Sequence, residues 1–212
     1  MSGSYDFEEQ ERLAELKAWW EDNRWYVLGA IAAAVIAFSG YQGWKWWTLR
    51  ESEDAAAMFA PIEKAVRDKE DAKIAGLAEP LIAKHPNSYF ASTAALMVAK
   101  GAFDAGKLPE AAQRLQWVIA HGAEAHRGVA RVRLAAVLLD QKKYDEALKV
   151  LDGNHDEAFA PLVADMRGDV MLAQGRLDEA RAAYKLAVDK APPANPVKNI
   201  AGTKLNALGG EK

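Results

Sequence analysis

Four histidines, His85, His121, His126 and His155, are the side chains of this 212-residue chain best suited to metal or proton chemistry, because it has no cysteine. A helical zinc site wants two imidazoles four residues apart, on one face. His121 and His126 are five apart and flank Gly122 in a predicted surface loop. His155 has Asp156 and Glu157 beside it, but neighbouring loop residues do not converge on a substrate. The sequence contains no glycine-rich phosphate loop, no nucleophile-elbow G-x-S-x-G and no H-E-x-x-H. The acids that recur in PEA and DEA (Glu110, Asp145, Glu146, Asp178, Glu179) favour the first turn of a helix, where the backbone dipole is positive. The residues predict no enzyme, no metal and no cofactor. What remains to be explained is surface.

The elements behind that surface are helices. After Arg50 the chain reads as amphipathic segments of helix-forming residues, without strand-like alternation. Three stretches then repeat one another: KLPEAAQRLQWVIAHG from Lys107, KYDEALKVLDG from Lys143 and RLDEARAAYKLAVDKAPP from Arg176. Their equivalent alanines, Ala111, Ala147 and Ala180, stand 36 and 33 residues apart. That period belongs to tetratricopeptide repeats, paired antiparallel helices of about 34 residues. The template assigns its small first-helix position to Ala99, Ala135 and Gly168. Its loop glycine falls at Gly106 and Gly175, with Lys142 between them, and its closing proline at Pro192. Pro109 suits a first helical turn.

A degenerate unit is expected before these, with helices over Ala55–Arg67 and Asp71–Lys84. Pro61 and Pro80 are expected to kink or shorten them. Val197, Ile200, Ala201, Leu205 and Leu208 form one face of a closing helix, the cap a solenoid needs. The predicted organisation is residues 48–87 as juxtamembrane segment and degenerate repeat, 88–195 as three repeats, and 196–212 as capping helix and tail.

In such arrays the first helix of each pair lines a concave groove. This places Leu96, Lys100, Phe103 and Asp104 there, then Val132, Ala136, Leu139 and Asp140, then Leu162, Asp165, Asp169 and Leu172. The predicted lining is apolar and acidic, suited to an extended or helical segment of another protein.

Before the array lies a different solvent. Six of the seven tryptophans fall between Trp19 and Trp47, framing the stretch Trp25–Trp44, which carries no charged side chain. Twenty helical residues rise about 30 Å, the hydrocarbon thickness of a bilayer. Trp25, Tyr26, Tyr41, Trp44, Trp46 and Trp47 sit where interfacial aromatic belts belong, and Ile31, Val35, Ile36 and Phe38 face lipid between them. The run is too long, and follows too acidic a start, for an ordinary cleaved signal. An uncleaved anchor over 25–47 is therefore expected, after an acidic tail over 1–24. Basic residues near the span favour a cytoplasmic N-terminus by three (Arg12, Lys17, Arg24) to two (Lys45, Arg50). The net charge of −3 provides no basic field for nucleic acid. A chain without thiols tolerates an oxidising compartment.

The order of parts resembles one family. The acidic tail leading into EEQERLAELKAWWEDNRWYVLGAI, the aromatic exit GWKWW, the third repeat VADMRGDVMLAQGRLDEAR (Val163–Arg181) and the terminal KLNAL (Lys204–Leu208) are similar to the YfgM-like bacterial inner-membrane proteins. The resemblance implies an all-α chain with one transmembrane helix, followed by a tetratricopeptide-repeat-like solenoid with a capping helix. It also implies a single-pass inner-membrane protein with a cytoplasmic tail and a periplasmic array. The implied role is that of an ancillary subunit of the Sec translocon. Its implied partners are the Sec channel, a membrane-anchored periplasmic chaperone of prolyl-isomerase-like type, newly exported proteins and membrane lipid, with no nucleic acid. Without the resemblance, an envelope scaffold or regulatory adaptor unrelated to protein export fits the same residues.

Overall fold

The computed structural model describes residues 3–153 and 156–209, with side chains from residue 11 onward. All regular elements among them are helical. The chain divides into two compact units, residues 1–51 and 52–212.

The first unit is formed by helix α1 (Gly3–Arg67) as far as Glu51. Its apolar residues run all round the helix, so it has no inward face, and none of its most apolar window is buried. The second unit begins with the last part of α1. It continues with α2 (Asp71–Lys84), α3 (Tyr89–Asp104), α4 (Leu108–His121), α5 (Glu124–Asp140) and α6 (Tyr144–Asp152). A 3₁₀ turn (Glu157–Phe159) leads to α7 (Ala160–Ala173), α8 (Leu177–Lys190) and α9 (Pro196–Ala207).

One turn recurs along this unit. Lys69, Gly106, Lys142, Gly175 and Gly209 have positive φ, between 57° and 83°. Each donates its N–H to the carbonyl three residues back: Val66, Phe103, Leu139, Leu172 and Asn206, at 2.8–3.2 Å. In the first four, the following N–H also reaches five residues back, to Ala65, Ala102, Leu138 and Met171, at 2.8–2.9 Å. This double closure satisfies the last carbonyls of a helix and reverses the chain. The left-handed backbone suits glycine, and Lys69 and Lys142 adopt it at a cost of roughly 1 kcal/mol or more. The turns are spaced by 37, 36, 33 and 34 residues, so the same turn closes the first helix of the expected degenerate unit. They also show that α9 ends as the first helix of each pair ends.

The helices of a pair pack through one large and one small side chain. Gly168 stands seven residues before its turn residue and Tyr184 nine after it. A Cβ on Gly168 would lie 2.4 Å from the Tyr184 ring, so the ring occupies the volume a side chain would take. The same two offsets give Ala99 with Leu115 and Ala135 with Leu151, all buried. In the degenerate repeat the sizes are exchanged: Ile62 stands on the first helix and Ala78 on the second, both fully buried.

The prolines do not end their helices. Pro61 lies inside α1 and Pro80 inside α2, contrary to the expectation of shortened elements. Each costs about 3 kcal/mol in a helix interior. Against that, Phe59 and Ile62 beside one, and Leu81 and Ile82 beside the other, are buried. They contribute roughly 1.5–3 kcal/mol apiece. Both prolines face solvent, where the unpaired carbonyl one turn back can bind water.

A continuous core runs from Ala55 to Val170. A second, smaller cluster holds Ala164, Ala187 and Ala201, with Val188 against them, and Tyr184 is fully buried in the same region.

Two glycine substitutions separate packing from propensity. Gly168→Ala is expected to lower unfolding stability by about 1–2 kcal/mol, the clash outweighing the helix gain. Gly101→Ala, with open space around it, is expected to raise stability by up to about 1 kcal/mol. Chemical denaturation of both variants measures the difference; equal effects would contradict the assignment.

Candidate partner groove and membrane anchor

The anchor residues are all exposed, from Trp25 at 73% through Ile31, Val35, Ile36 and Phe38 to Trp47. The guanidinium of Arg24 lies 5.7 Å from the Trp25 ring centre and that of Arg50 lies 5.1 Å from Trp46. Cations over aromatic faces at both ends suit the headgroup levels. Thr48 returns its hydroxyl to the carbonyl of Trp44 at 2.7 Å, so it adds no unpaired donor. This is one helix long and apolar enough to cross a membrane.

In the repeat unit, Lys100, Phe103 and Asp104 of α3 come together with Arg133 and Ala136 of α5. They line an open pocket of about 290 Å³, floored by Ala99, Leu115 and Val137. Lys100 and Asp104 form an ion pair one turn apart on α3. Phe103 is 38% exposed at the edge. Further along the same faces, the rings of Tyr89 and His126 stand 4.4 Å apart. Burial, with Arg133 nearby, lowers the His126 pKa below the ordinary imidazole value.

Other expected groove residues lie elsewhere. Leu96 and Val132, each 7% exposed, pack between helices. Leu139 and Leu162 are half-buried against the core, while Leu172 is exposed near the end of α7. Asp165 and Asp169 are not open acidic lining: both are bound by Lys204 of α9. The ammonium meets Asp165 at 2.9 Å and Asp169 at 2.7 Å, and the Tyr184 hydroxyl donates to Asp169 at 2.8 Å. Burial raises the pKa of Asp165 against the pull of Lys204. Burial alone would lower that of Lys204, but its bonds to Asp169 and Asp165 hold it above the usual 10.5. Two carboxylates share one cation beside the smaller cluster.

The histidines also have structural partners. His121 ends α4 and His126 lies in the first turn of α5, so only Gly122 and Ala123 form the predicted loop. The link is tight because a Cβ on Gly122 would lie 2.7 Å from the Val118 carbonyl. His121 stacks on Trp117 at 5.6 Å. Buried His85 pairs with Asp54 at 2.9 Å, and Lys84 joins the same carboxylate. These two bonds lower the Asp54 pKa. His155 lies outside the described residues. Among those described, no group of three or more His, Asp or Glu is placed to hold a metal ion.

A tetratricopeptide repeat-like domain model matches residues 17–210. The ancillary SecYEG translocon subunit of Neisseria gonorrhoeae is 32% identical over 203 residues, covering 95% of this chain and 97% of its own. That of Escherichia coli is 31% identical, covering 84% and 88%. The chain belongs to this family. Among solved structures, MamA from Desulfovibrio magneticus superposes with a TM-score of 0.55 at 17% identity, over 73% of this chain and 89% of MamA. That likeness concerns the fold alone. The family is one of translocon subunits with a repeat-like domain, a non-catalytic kind, and the apolar helix fits a membrane-anchored protein.

Three side chains that shape the candidate groove and the end of the array escaped the sequence reading. Arg133 lies next to a template position, and the repeat pattern gave it no weight. Lys204 lies 39 residues from Asp165, in a helix read only for its apolar face. Tyr89 was hidden by the degenerate boundary, although it lies 14 residues before Phe103 and so on nearly the same helical face.

Lys204→Met is expected to cost roughly 2 kcal/mol, because it leaves two carboxylates without their cation. Asp165→Asn should cost less than half as much, leaving a one-to-one pair. Because the folded pKa of Lys204 is raised, its stabilisation is complete below about pH 10.5. It is lost as pH rises through the folded value. Denaturation at pH about 9 and about 11.5 should show wild type and Lys204→Met converging; a constant gap would contradict the network.

Proposed function

We propose that this chain is a membrane-anchored protein-interaction module of the Sec translocon. Residues 25–47 hold it in the bacterial inner membrane. Its acidic tail lies in the cytoplasm and its repeat array in the periplasm, where the groove binds protein segments. Partners of that groove are a membrane-anchored chaperone of prolyl-isomerase-like type and newly exported chains. The observation that carries this reading is the span of the relatives. The Neisseria gonorrhoeae subunit aligns with 95% of the chain, so anchor and array are shared together. Tethering supports it too, since an anchored groove meets membrane partners at high effective concentration and needs only modest intrinsic affinity.

The test is capture of the tagged full-length chain in native-membrane nanodiscs, beside an unrelated single-span protein at equal abundance. Enrichment of the SecYEG channel with this chain alone is expected. Equal recovery with both, or enrichment of one unrelated envelope protein, would replace this reading with that of a scaffold outside export. Orientation is read on the same material: the chain lacks cysteine, so a single cysteine at exposed Lys142 reports it. An impermeant maleimide should label it from the periplasmic side; labelling only after lysis would reverse the topology.

A further inference from the structure

The charge of the groove differs from its composition. Asp165 and Asp169 are satisfied by Lys204, and Asp104 by Lys100. Arg133 makes no ion pair among the described residues, yet it lines the pocket. The imidazole on its own helix face, His126, is held toward its neutral form by burial. The carboxylate further along α5, Asp140, lies seven residues away, or about 10 Å. The pocket therefore presents one uncommitted positive group beside an apolar floor of Ala99, Leu115 and Val137.

We propose that the pocket between α3 and α5 recognises a segment of another protein in which a large apolar side chain stands beside a carboxylate. The apolar side chain enters against Phe103 and the floor, and Arg133 takes the carboxylate. This specificity rests on the groove reading above and narrows it. A volume of about 290 Å³ holds one large side chain, just below the roughly 300–1,000 Å³ of whole small-molecule sites. A guanidinium offers a planar pair of donors that fits a carboxylate in two parallel bonds. Tyr89 extends the contact: 14 residues from Phe103 along α3 correspond to about 21 Å. An extended segment covers that distance in about six or seven residues.

Fluorescence anisotropy with the full-length protein in nanodiscs tests this. The probes are fluorescein-labelled Gly/Ser dodecapeptides with a central Phe-Asp, Phe-Asn, Phe-Lys or Ala-Asp. Phe-Asp should bind at least about tenfold tighter than Phe-Asn, with Phe-Lys and Ala-Asp weaker still. Arg133→Gln should erase the preference for Asp over Asn, and Arg133→Lys should retain part of it. Phe103→Ser should weaken all Phe peptides. Arg133 is exposed, so unchanged thermal melting of its variants separates recognition from folding. Equal wild-type affinity for Phe-Asp and Phe-Lys, no binding of any peptide, or an Asp preference that survives Arg133→Gln would overturn the proposal. If such a result comes with intact SecYEG capture by the wild-type chain, the specificity falls and the translocon reading stands. Failed capture removes that reading itself.

Discussion

Close approach of two helices is the constraint on which the repeat array depends. Each pair needs a turn that ends one helix within a residue or two and a seam that lets the helices nearly touch. The left-handed residue and its two hydrogen bonds supply the first in four repeats, and the closing helix α9 ends on the same backbone. A large side chain set against a small one supplies the second. Tyr184 over Gly168 is the extreme case, with the ring filling the place of a missing Cβ. Close packing of this kind fixes the angle between neighbouring pairs, and hence the face on which Phe103 and Arg133 meet.

The two ends of the chain solve different solvent problems. Toward the N-terminus the apolar residues lie exposed along α1, and the aromatic and cationic groups at the boundaries suit lipid headgroups. Toward the C-terminus the final pair packs chiefly alanine around Tyr184. Lys204 closes that end through two carboxylates. Buried ion pairs offset their desolvation only with good geometry and full hydrogen bonding; here one ammonium and one phenol together bind both acids. Two of the acids that the sequence offered to a partner, Asp165 and Asp169, are thus spent inside the fold. The groove that remains takes its sign from Arg133.

The three clear repeats were legible because glycine and alanine recur at fixed offsets, and such residues resist replacement where backbones approach. The degenerate repeat was legible in outline, with helix ends at Arg67, Asp71 and Lys84. Its signature was faint because Ile62 and Ala78 exchange the sizes that the others keep, an inversion that conserves packed volume and defeats a motif. The two prolines misled for a related reason: local propensity opposes them, and burial of neighbouring side chains overrides it. The groove was the least legible part. Helical spacing brought Lys100, Phe103 and Asp104 to one face, but which acids remain uncommitted depends on Lys204, a contact across 35 and 39 residues. No local pattern encodes such a pairing.

The measurement that bears most directly on the account is a photocrosslink to an exported chain arrested in the channel. A photoreactive residue replaces Phe103 in one sample and Lys142, in the exposed turn between α5 and α6, in another. The account predicts adducts at position 103 with the arrested chain or its chaperone, and far fewer at position 142. Equal adducts at both positions, or none at position 103 while the arrested chain remains in the channel, would contradict a groove that serves export.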